Sequence, residues 1–216
     1  GKREFVPPLA KAALAAGEAA SIPGATVQRT SALRLTAING ARAGRLAAAI
    51  PLLQEALALA TAGGDLAGEC AVTSNLGIVE RQSGHNAEAE RLYMRALELA
   101  RQTGNRSAEG RILNNLGLLR YYTGRVDEGM KGLAADLAIC RELGDRRGEA
   151  MTLSNIGACY AEQGHADDGQ AASEQSLLIA RQVGDRSTEG TAAGNVGQSL
   201  LARGDGTGAA VQFSEA

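Results

Sequence analysis

Tryptophan is absent from this chain, and aromatic residues of all kinds make up only 3% of it. That scarcity argues against the aromatic platforms on which single-stranded nucleic acids stack. Charge of one sign is missing too. The 22 basic and 24 acidic residues are interspersed and leave a net charge of −2, which gives no electrostatic footprint for a nucleic-acid backbone or an anionic membrane. No apolar run approaches the roughly 20 residues of a membrane helix. The opening stretch GKREFVPPLAK lacks the apolar core and cleavage site of a secretory leader. Cysteine occurs three times, at Cys70, Cys140 and Cys159, an odd number with no C-x-x-C spacing. Such residues are expected as small buried hydrophobes in the reducing cytoplasm. Lysine is also scarce, confined to Lys2, Lys11 and Lys131, and with the many alanines this points to a high-GC bacterial genome.

The chemistry-bearing motifs are missing as well. There is no H-E-x-x-H, no G-x-S-x-G and no P-loop. His85 and His165 are the only histidines and lie 80 residues apart, at the same place in repeats two apart. They are expected as helix-start residues, not as metal ligands or members of a triad. The glycine-rich stretch Gly204–Gly208 follows no strand and reads as a helix junction, not a phosphate cradle. Asp167 and Asp168 stand at a helix start and suit the positive end of its dipole. No catalytic residue, cofactor or metal is expected, and the chain is not read as an enzyme.

What is present is a clock of glycines. They stand at 24, 44, 64, 84, 104, 124, 144, 164, 184 and 204, each twenty residues from the last. Glycine just past a helix end is the expected left-handed stop signal. The segments between carry apolar residues at helical spacing, and only Pro51 interrupts one. Each predicts a helix of about 16 residues, with short connections that make neighbours antiparallel.

Two helix types alternate, so the full period is forty. Type A opens with Asp65, Asn105, Asp145 or Asp185, good N-cap residues, followed four residues later by Glu69, Glu109, Glu149 or Glu189, which suit the helix dipole. Type B follows Gly84, Gly124 and Gly164 and ends in Arg101, Arg141 or Arg181, where a cation complements the opposite pole. The whole of 1–216 reads as one solenoid. Residues 5–23 are a trailing B helix, 25–64 a divergent repeat, 65–104, 105–144 and 145–184 full repeats, and 185–216 a truncated one. Neither end has the polar capping helix that a solenoid normally carries, so the sequence reads as a piece of a longer protein.

The A-helix cores Ser74-Asn75-Leu76-Gly77, Asn114-Asn115-Leu116-Gly117, Ser154-Asn155-Ile156-Gly157 and Gly194-Asn195-Val196-Gly197 carry a resemblance. With a loop glycine seven residues on, they are similar to the tetratricopeptide repeat. The small helix-B residue of that family falls on Ala89, Gly129, Gly169 and Ala209. A later alanine falls on Ala96 but is Asp136 and Ser176 in the next two repeats. The period of 40 in place of 34 resembles kinesin light chain, the Leu-Gly-Asn-repeat spindle-orientation scaffolds, and helical sensor regions of bacterial signalling proteins. The resemblance implies an all-α fold, a right-handed α-solenoid of antiparallel helix pairs, and a role in binding peptides or proteins.

Faces follow from helical geometry, since residues three and four apart share one. Val72, Leu76 and Val79 form an apolar core stripe, repeated as Ile112, Leu116, Leu119 and as Leu153, Ile156, Cys159. Glycine at 77, 117, 157 and 197 removes Cβ where A and B backbones approach, and Gly129, Gly132 and Gly169 call for close packing. The neighbouring stripe of A is mixed and polar. It carries Asn75, Asn115, Asn155 and Asn195, with Arg111, Leu118, Tyr122, Met151 and Glu162 around them. Two readings of the asparagines stay open: pairing with the backbone of a bound peptide, or hydrogen bonds that tie adjacent A helices. Arg111 is either a cation for a ligand carboxylate or a surface ion pair. Of the adjacent Tyr121 and Tyr122, one packs and the other is exposed.

The expected peptide-binding set is Asn75, Arg111, Asn114, Asn115, Leu118, Tyr122, Asn155, Glu162 and Asn195. The expected partner is a protein or peptide, without nucleic acid or membrane, and self-association is possible. A scaffold that captures a peptide or helical segment in its concave groove is the leading reading. An assembly element, or the sensor region of a signalling or transcription regulator, are the alternatives.

Overall fold

A computed structural model describes residues 24–215, with side chains given as far as Gln212. The helix expected over 5–23 lies outside the described residues. Ten helices follow one another, and among the described residues there is no strand. They are α1 (Ala25–Arg42), α2 (Leu46–Ala62), α3 (Leu66–Gln82), α4 (Asn86–Gln102), α5 (Arg106–Tyr122), α6 (Val126–Leu143), α7 (Arg146–Glu162), α8 (Ala166–Val183), α9 (Arg186–Ala202) and α10 (Gly206–Glu215). Odd-numbered helices are type A and even-numbered ones type B.

The turns are set by the glycine clock. All ten glycines have φ between 64° and 89°, a region open to glycine at no steric cost. From Gly44 onward, the residue after each donates its N–H back across the helix end. His85 N reaches Glu80 O at 2.9 Å, Asp145 N reaches Cys140 O at 2.8 Å and His165 N reaches Tyr160 O at 2.9 Å, closing the last turn in the Schellman manner. Two residues later the next helix begins. The expected caps form: Asp65, Asn105, Asp145 and Asp185 accept from the N–H of Gly68, Ala108, Gly148 and Thr188.

The chain forms two compact units, the first ending at Ile112 and the second starting at Leu113, both within α5. In the first unit, α1 packs on α2 and α3 on α4. Leu33, Ala37, Leu53, Val72, Leu76, Val79 and Leu92 form one buried cluster, so the core stripe of α3 lies where its spacing placed it. In the second unit α7 packs on α8, α8 on α9, and α9 on α10. Its interior is made of Tyr121, Leu133, Ile156 and Cys159, then Ala150, Leu153, Ile179 and Ala180, then Leu177, Ala192 and Ala193.

Candidate functional site

The positions of the predicted residues depend on what ties the helices. Three of the A-helix first-turn glutamates, Glu109, Glu149 and Glu189, are each held by two arginines, while Glu69 pairs with Arg95 of the following B helix. Arg101 Nε donates to Glu109 Oε1 at 2.9 Å and Arg106 Nη1 to Oε2 at 2.5 Å. Arg141 and Arg146 hold Glu149, and Arg181 and Arg186 hold Glu189. The arginine that ends one B helix therefore clamps the start of the next A helix across the glycine turn. Burial alone would raise the Glu109 and Glu149 carboxyls, but the arginine hydrogen bonds prevail and hold both below the usual carboxylate range. The sequence pairs each of these groups with a helix dipole. The structure adds that they are pairs of one another.

A repeated bond also joins successive A helices in the second unit. Asn155 Nδ2 donates to Asn114 Oδ1 at 3.1 Å, and Asn195 Nδ2 donates to Ser154 O and Oγ at 3.1 and 3.2 Å. Asn114 is itself buried. Its Nδ2 donates to Asp136 Oδ2 at 2.9 Å and to Thr152 Oγ1 at 3.2 Å, while Cys140 Sγ reaches Asp136 Oδ1 at 3.6 Å. Asp136 is only 2% exposed, and this polar knot supplies the partners a buried carboxylate needs. The signal for it was in the sequence, where Asp136 and Ser176 stand at the family's alanine. Ser176 Oγ, too, donates into the A helix, to Ala150 O at 2.7 Å.

The thiols are packing groups. Burial, then the nearby carboxylates of Asp136 and Asp145, push the Cys140 thiol up to about 12. Burial and then Glu162 push Cys159 to about 11. Both are protonated at neutral pH and so are poor nucleophiles. Among the described residues no cluster of His, Cys, Asp and Glu has the makings of a metal site, and no helix is long and apolar enough to cross a membrane. His85 and His165 stand at the N-caps of α4 and α8, paired with Glu80 and Asp168.

The rest of the predicted set lies on the A-helix face. In the first unit Asn75 is half-buried, and Arg111 is exposed with Nη1 3.4 Å from Ser107 Oγ. In the second unit Asn115, Leu118 and Asn155 are half-buried and Glu162 is exposed. Tyr121 is buried and donates to Cys159 O at 2.8 Å, whereas Tyr122 is 60% exposed. Met151, on the same stripe as Asn155, is 42% exposed. Between α7 and α9 the face dips into a depression of about 250 Å³, lined by Ala158, Ala161, Glu162, Ala166, Gln198, Ser199 and Ala202.

This architecture has relatives. Residues 30–102 match the tetratricopeptide-repeat family model. BtubC (BKLC) from P. vanneervenii superposes with a TM-score of 0.81 at 19% identity, over 98% of this chain and 89% of that one. The fold is that of the tetratricopeptide repeat. A kinesin light chain-like protein of Podosopora anserina with nearly identical TPR-like repeats shares the fold at a TM-score of 0.68 and 15% identity, over 87% of this chain and 92% of that one. The quorum sensor NprR from B. thuringiensis, in complex with its cognate peptide NprX, shares it at 0.71 and 15% identity, over 88% of this chain and 55% of that one. The sequence matches none of the curated proteins. Tetratricopeptide repeats are in general non-catalytic scaffolds.

Proposed function

We propose that the chain is a protein-interaction scaffold that holds a peptide or helical segment of a partner against the A-helix face. The observation that carries this reading is the exposure of large apolar side chains on that face. Tyr122 and Met151 stand beside the half-buried Leu118 and Ala158 on helices whose core stripes are otherwise fully used. Exposed aromatic and Met side chains are the groups that anchor partners. NprR, which shares the fold, is found in complex with its cognate peptide NprX, and this supports a peptide as the ligand. In this reading Asn114, Asn155 and Asn195 set the spacing of the A helices. Leu118, Tyr122, Met151 and Glu162 make the contacts, with Asn115 on the same stripe, and Asn75 and Arg111 stand at the corresponding A-helix positions of the first unit.

The test is affinity capture from a lysate with wild type, a Tyr122→Ala/Met151→Ser double variant, and Leu178→Ser as a control on the exposed surface of α8. Circular dichroism would first confirm equal helicity. A partner held by wild type and Leu178→Ser but lost by the double variant supports the A face. A partner lost only by Leu178→Ser refutes it. Recovery of the bait alone would favour self-assembly.

A further inference from the structure

The depression between α7 and α9 has a chemistry of its own. Its walls are the methyl groups of Ala158, Ala161, Ala166 and Ala202, and its polar groups include Glu162 and Gln198. About 250 Å³ is ample for one long side chain, since an apolar cavity of about 150 Å³ already holds benzene. Most of the lining comes from the C-terminal ends of α7 and α9, with Ala166 from the first turn of α8, so two helix dipoles present their negative ends there. In six other helices an arginine meets the negative end: Arg42 in the last turn of α1, Arg81 in α3, Arg101 in α4, Arg120 in α5, Arg141 in α6 and Arg181 in α8, whereas α2 has none. Neither α7 nor α9 has a basic residue in its last turn. Arg203, just beyond α9, is drawn to Asp167, and His165 pairs with Asp168. Glu162 faces solvent, with its carboxylate near the Tyr121 hydroxyl.

From this geometry we infer that the α7–α9 depression is a subsite for a basic side chain of the bound peptide. The aliphatic stem of an arginine or lysine lies on the alanine walls, and its cationic head meets Glu162, the amide oxygen of Gln198 and the two helix C-termini. A long basic side chain is amphipathic in this way, apolar along its stem and charged at its tip. An acidic or purely apolar side chain satisfies only one half of the site. The inference rests on the A face being the binding face and adds which residue the partner presents there.

The probe is a blocked pentapeptide, acetyl-Ala-Ala-Arg-Ala-Ala-amide, titrated into the ¹⁵N-labelled protein alongside analogues with norleucine or glutamate at the centre. Saturable amide shifts at Ala158, Glu162, Gln198 and Ala202 are expected for the arginine peptide. Binding at least threefold weaker is expected for norleucine, for Glu162→Gln, and on raising NaCl, since exposed charge attraction is screened by salt. Equal binding of all three peptides at these amides, or an unchanged affinity in Glu162→Gln, overturns the basic-residue subsite and leaves the A face as a binding surface. Absence of shifts at these amides with all three peptides overturns the subsite, and the capture experiment then decides separately whether the A face binds anything. Because Glu162 is exposed, Glu162→Gln is expected to fold as wild type does.

Discussion

The α3–α4 pair and the α7–α8 pair are written on one forty-residue template, yet they fill the contact between A and B helices differently. In α3–α4, a Cβ on Gly77 would meet the ring of Tyr93 at 2.8 Å. The glycine makes room for a fully buried aromatic side chain. In α7–α8, a Cβ on Gly157 would meet Gly169 O at 2.9 Å and the Ser173 hydroxyl, so there the backbones themselves close on each other. The α5–α6 pair takes the second course. A Cβ on Gly117 would lie 2.9 Å from Gly129 O, and one on Gly129 would lie 2.7 Å from Gly117 O. One template thus supports two kinds of seam, one filled by a large side chain and one by close backbone approach with hydrogen bonds from Asn114 to Asp136 and from Ser176 to Ala150 O. Small residues in the second seam let a polar network replace apolar bulk.

Four substitution experiments and one titration probe that contrast. Tyr93→Ala should have the largest effect, because it empties the side-chain seam. A loss of about 3–5 kcal/mol is expected on denaturant unfolding, while Ser173→Ala at the matching position of α8 should cost far less. Gly129→Ala should lose about 1–3 kcal/mol from overpacking, despite the better helix propensity of alanine, because the two nearest atoms it meets, Gly117 O and Tyr121 N at 2.7 Å, are backbone. Asp136→Ala leaves Asn114 and Thr152 short of a buried partner and should cost about 1–3 kcal/mol. Adding Thr152→Val should recover part of that loss, since removing both members of a polar pair is milder than removing one.

The titration follows from the arginine clamps. Glu109 and Glu149 have folded-state pKa values below the ordinary glutamate value of 4.5. Their contribution is therefore complete above that value and is lost as pH falls through the folded-state values. Stability should decline below about pH 4.5, and Glu149→Gln should flatten that acid limb in a pH series of thermal melts. The smallest effect is a gain. Gly194 lies inside α9 with nothing within 4 Å of an added Cβ, so Gly194→Ala should add about 0.5–1 kcal/mol and raise the melting temperature slightly.

Much of this fold was legible in the residues because its signals are local. A left-handed glycine, an Asp or Asn cap and a 3.6-residue stripe are properties of a few neighbouring positions. They placed the turns, the helix starts, the buried Val72–Leu76–Val79 face and the division of labour between Tyr121 and Tyr122. What escaped the sequence involves partners that only folding brings together. The arginine ending α6 clamps Glu149 of α7 eight residues on, across the turn, and Asp136 finds Asn114 and Thr152 on two other helices. The asparagine ladder showed the same limit. Its repetition was compatible with helix tying as well as with the peptide binding expected of it, and only the 3.1 Å contact from Asn155 to Asn114 displays the use its amide makes within the fold.

The central claim is that partners dock on the A-helix face and not on the B-helix surface. Its most direct test is photocrosslinking with p-benzoylphenylalanine placed at Met151 on α7 or at Leu178 on α8, both exposed. The protein would be irradiated in the presence of the partner it captures. A partner adduct from position 151 and none from 178 is the predicted result. An adduct from 178 with none from 151 would contradict the account and move the binding surface to the other side of the helix pairs.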